Sequence, residues 1–226
     1  MTPGPNPNAS NRSTSRFYGL GRGGSRMEGL TAVVLVGGKS SRFGSDKASA
    51  LLRGRPLLQW VLDAVGQVCE AVVVVKARGQ VLPDATCSVP MTVVEDLYDA
   101  QGPLAGLVAA FEVVRTPLAF ATSCDSPLAE PALIRFLASR AAEADVVYPL
   151  VEGRPQPLVA VYRAAACLPV FRENVERGQL RVVVAYEGLR QETVTGEEAA
   201  TADPRLRTFL NANTPERLAE IDALLG

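Results

Sequence analysis

The stretch T-A-V-V-L-V-G-G-K-S-S-R-F-G-S-D-K, residues 31 to 47, decides the reading of the chain. Thr31 to Val36 is a short, largely apolar run rich in β-branched residues, and it predicts a strand buried on both faces. The run ends in Gly37 and Gly38, where the missing Cβ atoms let backbone amides approach a polyphosphate. Ser40, Ser41, Arg42 and Lys47 follow, and hydroxyls and cations both suit phosphate. A glycine pair alone would be read as a turn with solvated charges around it. The whole string from Gly37 to Lys47 favours phosphate binding. It is not a Walker A loop, because five residues separate Gly38 from Gly44 and Ser45 stands where that motif needs a lysine.

Downstream, apolar runs alternate with helical spacing. Leu57, Leu58, Val61, Leu62 and Val65 share a helix face after Pro56, and strands are predicted at 71–75 and 91–95. After Gly102-Pro103 a helix runs from Leu104 to about Val114, followed by a strand at 118–122. Pro131 opens a helix to about Ala141, and 145–149 is another strand. Residues 157–162 are expected to be extended, 164–177 helical, 181–186 extended and 207–210 extended. Thr214-Pro215 caps a final helix to Leu225. This alternation predicts an α/β fold, a single domain with a mainly parallel sheet and helices on both faces. Such sheets bind ligands beyond the carboxyl ends of their strands. Three segments stand there: Gly37 to Lys47, Glu95 to Gly106, and Ser123 to Pro127.

Composition limits the chemistry. The 226 residues include no histidine, which excludes His-ligated zinc, Ser-His and Cys-His nucleophile systems and imidazole acid/base catalysis. Cys69, Cys87, Cys124 and Cys167 lie far apart with no C-x-x-C pair, so reduced thiols in a cytoplasmic protein are expected. No apolar run approaches the roughly 18–20 residues that span a bilayer. Lysine plus arginine (23) nearly balances aspartate plus glutamate (24), which argues against a nucleic-acid partner drawn by a basic surface. Residues 1–29 are rich in Gly, Pro, Ser and Asn and are expected to form a disordered tail ahead of a domain spanning 30–226, with Met27 as the natural start. Gly19, Gly21 and Gly24 fit G-x-G-x-x-G, but no strand precedes them and no helix follows, so they are no dinucleotide fingerprint.

Asp125 follows the fourth predicted strand, where a carboxylate suits Mg²⁺ shared with substrate phosphates; capping the helix near Pro131 is the competing role. Asp96 and Asp99 follow the third strand, placed to accept hydrogen bonds from a base or ribose, or to be solvated.

At these segments the chain resembles the molybdenum cofactor guanylyltransferases. Their signature looks like L-A-G-G-x-S-x-R-M-G-x-D-K, and Leu35 to Lys47 reads L-V-G-G-K-S-S-R-F-G-S-D-K. The likeness continues at E-D and G-P-L-A-G (Glu95 to Gly106), C-D-x-P (Cys124 to Pro127), Q-P-L-V-A-V-Y (Gln156 to Tyr162) and N-A-N-T-P-E-R-L (Asn211 to Leu218). The first motif alone is shared with molybdopterin cytidylyltransferases and with sugar-phosphate and isoprenoid nucleotidyltransferases. A catalytically silent GTP-binding protein is the reading from another class.

The resemblance implies a Rossmann-like nucleotidyltransferase fold that transfers GMP from GTP to molybdenum-bearing molybdopterin with Mg²⁺. It implies that Leu35, Val36, Gly37, Gly38, Lys47, Asp96 and Asp125 bind GTP. Asp125 would also hold Mg²⁺, and Asn211 and Asn213 would face the pterin. Lys47, Arg42 and Asp125 are the expected catalytic residues, and proteins that insert molybdenum or deliver the cofactor are the implied transient partners. Val36 replaces the usual Ala, Phe43 replaces Met, Lys76 stands where Asn is frequent, and Gln156 where His is common.

Overall fold

The computed structural model describes residues 25–37, 47–96 and 102–226. Strand β1 (Met27–Leu35) is followed by a 3-10 turn at Lys47–Ser49 and a hairpin of β2 (Leu51–Leu52) and β3 (Arg55–Pro56). Then come α1 (Leu57–Val65), β4 (Cys69–Lys76), β5 (Met91–Glu95), α2 (Pro103–Val113), β6 (Leu118–Ser123) and α3 (Pro131–Ser139). The second half consists of β7 (Val146–Val151), β8 (Arg154–Pro155), β9 (Ala160–Tyr162), α4 (Ala164–Glu176), α5 (Val182–Ala185), β10 (Gln191–Thr195), α6 (Gly196–Ala200) and α7 (Pro215–Leu224).

Among the described residues the main sheet runs β10-β7-β9-β6-β1-β4-β5, with β8 paired to β7. The β5-β4-β1-β6 half is parallel throughout, and β9 is the antiparallel strand between β6 and β7. Because side chains alternate across a strand, the central valines divide cleanly. Ala32, Val34, Val72, Val74 and Phe120 enter one core with Val61 and Leu62 of α1 and Leu133 and Leu137 of α3. Val33, Leu35, Val73, Val75 and Ala121 enter the other with Leu104 and Leu107 of α2 and Phe171 of α4. Helices on both faces explain why β1 and β4 are continuous apolar runs rather than alternating ones. A third, smaller core joins Leu52 and Leu57 to Ala212 and to Ile221 of α7.

The architecture is the α/β one expected, and four local expectations are corrected, among them the extended reading of 157–162, which turns at 157–159 and is a strand only over Ala160–Tyr162. β1 begins at Met27, four residues ahead of the strand start expected at Thr31, and the Met27 N–H donates to the Val68 carbonyl at 2.6 Å. Residues 181–186 are not extended. Val182 and Ala185, three apart, bury one helical face, so packing overrides the β-preference of three successive valines. Residues 207–210 form a 3-10 turn at Arg207–Phe209, fixed by the Asp203 carboxylate, which accepts from the Arg207 and Thr208 amides at 3.1 and 2.8 Å. β10 and α6 were not anticipated, although Thr195 and Glu198 form a capping box at the start of α6.

Strand β1 lies between β4, reached through α1, and β6, reached through α2 from β5 at the sheet's edge. The crossovers therefore leave β1 in opposite directions, and the carboxyl ends of β1 and β6 flank a topological switch point.

Candidate functional site

At that switch point β1 runs out through Val36 into Gly37. The Val36 and Gly37 amides donate to the Val75 carbonyl at 2.8 and 3.4 Å, which keeps the turn against the end of β4. Gly37 has no substitute, since a Cβ there would lie 2.9 Å from the backbone nitrogen of Ala77. On the other side the Cys124 amide donates to the Leu35 carbonyl at 3.0 Å, which ties the exit of β6 to the exit of β1. Gly106 of α2 is also close-packed, because a Cβ would meet Leu35 Cδ2 at 3.1 Å. The second glycine of G-P-L-A-G thus lets α2 sit directly under the strand end.

Lys47, 10 residues beyond Gly37, returns to this point. Its ammonium donates to Asp125 Oδ2 at 3.1 Å and to Asn213 Oδ1 at 2.7 Å. Both charged side chains are largely buried, 22% and 15% exposed. The other Asp125 oxygen accepts from the Ser123 hydroxyl. The segment carrying Asn213 is attached through its backbone, where the Ala212 amide donates to the Asp125 carbonyl at 2.7 Å and Ala212 is fully buried. Ser126 donates to Asn211 Oδ1 at 2.9 Å, and Thr214 caps α7 by accepting from the Arg217 amide. Three segments far apart in sequence therefore converge on one lysine.

Asp125 does not serve as a helix cap, because α3 starts at Pro131 with Glu130 at its N-cap. Asp96 lies beyond β5, two strands from β1 and thus about 10 Å along the same sheet edge; its amide donates to the Lys76 carbonyl at 2.8 Å. Leu35, Val36, Gly37, Asp96 and Asp125 share that edge, and Asn213 is brought onto Lys47. Gly38, Arg42 and Asp99 lie outside the described residues.

Sequence reasoning passed over Ser123, Ser126 and Gln80. The serines flank C-D in S-C-D-S, a signal visible once Asp125 is chosen. Gln80 carried none. Lys76, expected as a departure, donates to the Gln80 carbonyl at 2.9 Å and pairs with Glu95 at 3.1 Å. That ammonium holds the Glu95 carboxyl below the usual carboxylate range.

No group of three His, Cys, Asp or Glu that could enclose a metal occurs among the described residues. None of the cysteines forms a disulfide. Burial pushes the Cys69 and Cys167 thiols up, that of Cys167 to about 12, so neither is a nucleophile near neutrality. Among the described residues no helix is long and apolar enough to cross a membrane.

A cation and a carboxylate crossing a switch point beside a glycine turn fit a nucleoside triphosphate. A family model described as the MobA-like NTP transferase domain matches residues 32–194. The chain belongs to that family. The molybdenum cofactor guanylyltransferase of Desulfosudis oleivorans is 31% identical over 201 residues, which cover 88% of this chain and 97% of the relative. A probable molybdenum cofactor guanylyltransferase of Chloroflexus aggregans is 32% identical over 203 residues, 87% of this chain and 95% of the relative. The resemblance read from the motifs is therefore sound. Among solved structures, molybdopterin-guanine dinucleotide biosynthesis protein A of Archaeoglobus fulgidus matches with a TM-score of 0.69 at 24% identity, covering 87% of this chain and 98% of that one. The 2-C-methyl-D-erythritol 4-phosphate cytidylyltransferase of Thermus thermophilus matches with a TM-score of 0.63 at 19% identity, covering 88% and 98%. These two likenesses establish the nucleotidyltransferase fold.

Proposed function

We propose that the chain transfers GMP from GTP to molybdenum-bearing molybdopterin, releasing pyrophosphate and forming molybdopterin guanine dinucleotide, as a cytoplasmic enzyme of molybdenum cofactor biosynthesis. The observation that carries this reading is the Lys47 ammonium held between Asp125 and Asn213 at the joined exits of β1 and β6. The family and the names of the guanylyltransferase relatives supply the direction of the chemistry.

The attacking group is the terminal phosphate of molybdopterin, which is already anionic, and it displaces pyrophosphate in line from the α-phosphorus of GTP. No general base is needed, in keeping with a chain that has no histidine. What the protein must supply is position and positive charge. Gly37, which tolerates no side chain, leaves the strand exit open to the triphosphate, and Gly38 and Arg42 are the further residues this reading assigns to the phosphates. Lys47, held beside Asp125 and Asn213, adds a charge-assisted hydrogen bond to the phosphates. Leu35 and Val36 floor the nucleotide, and Asp96 accepts from its base or ribose. Asn211 and Asn213 line the acceptor side.

Asp125 suits Mg²⁺, because this ion usually keeps several waters and takes only one or two carboxylates plus phosphate oxygens. When bound it neutralises charge developing on the phosphates. Ser123 orients the Asp125 carboxylate for that role. Proteins that insert molybdenum or receive the product are the transient partners this reading implies.

The test is pyrophosphate release with molybdenum-bearing molybdopterin and each of the four nucleoside triphosphates, with and without Mg²⁺. Release with GTP and Mg²⁺ is expected. Preference for CTP would make the chain a cytidylyltransferase, and GTP binding without release under any condition would make it a silent nucleotide binder.

A further inference from the structure

The turn at residues 77–80 joins no motif, yet it is the surface against which the glycine turn lies. Ala77 approaches Gly37 so closely that no side chain fits between them. Gln80 closes its own turn, its amide donating to the Ala77 carbonyl at 3.0 Å while its side-chain oxygen accepts from the Ala77 amide at 2.9 Å. Its side-chain nitrogen reaches the carbonyl of Val36, the residue just before Gly37, at 3.5 Å. The turn is anchored from the far side. Glu95 accepts from the Gly79 amide at 3.3 Å and pairs with Lys76, whose ammonium also donates to the Gln80 carbonyl. Lys76 and Glu95 are register partners in the β4-β5 pairing, so this anchor is part of the sheet.

We propose that Gln80, backed by Lys76 and Glu95, is a positioning residue that sets the Val36-Gly37 backbone for the nucleoside triphosphate. The proposal rests on the GTP-binding reading of the Gly37 turn. Lys76 is then not a substitute contact to the nucleotide. Its charge is committed to Glu95, and its effect on GTP passes through the turn. Loosening the turn weakens ground state and transition state alike, so the loss falls on binding of the triphosphate rather than on kcat.

Two variants separate this from simple electrostatics. Gln80→Met keeps side-chain bulk and charge but removes the side-chain hydrogen bonds to the Ala77 amide and the Val36 carbonyl. Glu95→Met removes a negative charge, which by attraction alone would tighten binding of an anionic nucleotide. In titration calorimetry with GTP and Mg²⁺, both variants should bind about three- to tenfold more weakly than wild type. KM for GTP should rise to match, with kcat within about twofold and the thermal midpoint within a few degrees. Unchanged or tighter GTP binding in either methionine variant overturns the proposal, as does a loss confined to kcat. A wild-type chain that binds no GTP defeats the functional reading instead.

Discussion

Two carboxylates occupy opposite edges of the same sheet, each against a cation, and they do different work. Asp145, just before β7, is enclosed by protein. The Arg190 amide and Nε donate to its Oδ2 at 3.1 and 3.0 Å, and Arg190 Nη2 donates to Oδ1 at 2.8 Å. Arg163 approaches the same carboxylate at 3.8 Å. Asp125, just after β6, is met among the described residues by the Lys47 ammonium and the Ser123 hydroxyl. A planar guanidinium locks a carboxylate in two-point geometry, whereas an ammonium on a flexible stem can exchange partners. The pair at the amino-terminal edge is therefore a clamp. The pair at the carboxyl-terminal edge is the one proposed to receive a ligand.

The strongest way to break this comparison is at Lys47. Lys47→Ala should lower turnover roughly 30- to 1000-fold, about 2–4 kcal/mol of transition-state stabilisation, while leaving the thermal midpoint nearly unchanged. Steady-state pyrophosphate release and a melting curve check both halves. Asp145→Asn should do the reverse, costing about 1–3 kcal/mol of stability with activity per folded molecule preserved. For a chain of this size each kcal/mol lowers the midpoint by roughly 2–4 °C.

The clamp has its own pH signature. Hydrogen bonding from Arg190 holds the Asp145 carboxyl below the usual carboxylate range. Its folded pKa is thus below its unfolded value, so the stabilisation is fully present above the unfolded pKa and is lost as pH falls through the folded one. Urea unfolding of wild type and Asp145→Asn should differ at about pH 7 and converge toward about pH 3. A difference that stays constant would deny the clamp. The smallest effect belongs to Arg190→Lys, which gives up the two-point geometry but keeps the charge and the backbone hydrogen bond to Asp145, on a side chain already 62% exposed. It should cost no more than about 1 kcal/mol, measured the same way.

How legible these regions were in the sequence follows from the same contrast. The strand ending in Gly37 and the carboxylate after β6 are local signals of composition and position, and their convergence follows from strand order; the N-A-N-T-P segment was marked by the family resemblance alone. The Asp145 clamp is invisible in sequence, because Arg190 is 45 residues away and no motif marks the pair. Its half of the sheet was also the harder to read. Val182 to Val184 carry strand propensity inside a buried helical turn. The β2-β3 and β7-β8 hairpins turn through Arg53 and Glu152 at positive φ, where asparagine or aspartate would have been the clearer signal. The family resemblance pointed to the binding edge, and the approach of Asn213 to Lys47 became visible only in three dimensions.

The most direct measurement is calorimetric titration of GTP with Mg²⁺ into wild type, Asp125→Asn and Asp145→Asn under one set of conditions. If the Asp125 carboxylate serves the nucleotide site and Asp145 does not, Asp125→Asn binds at least about tenfold more weakly, a loss of roughly 1.4 kcal/mol, while Asp145→Asn matches wild type. Equal affinities for wild type and Asp125→Asn, or an equal loss in both variants, would contradict that assignment.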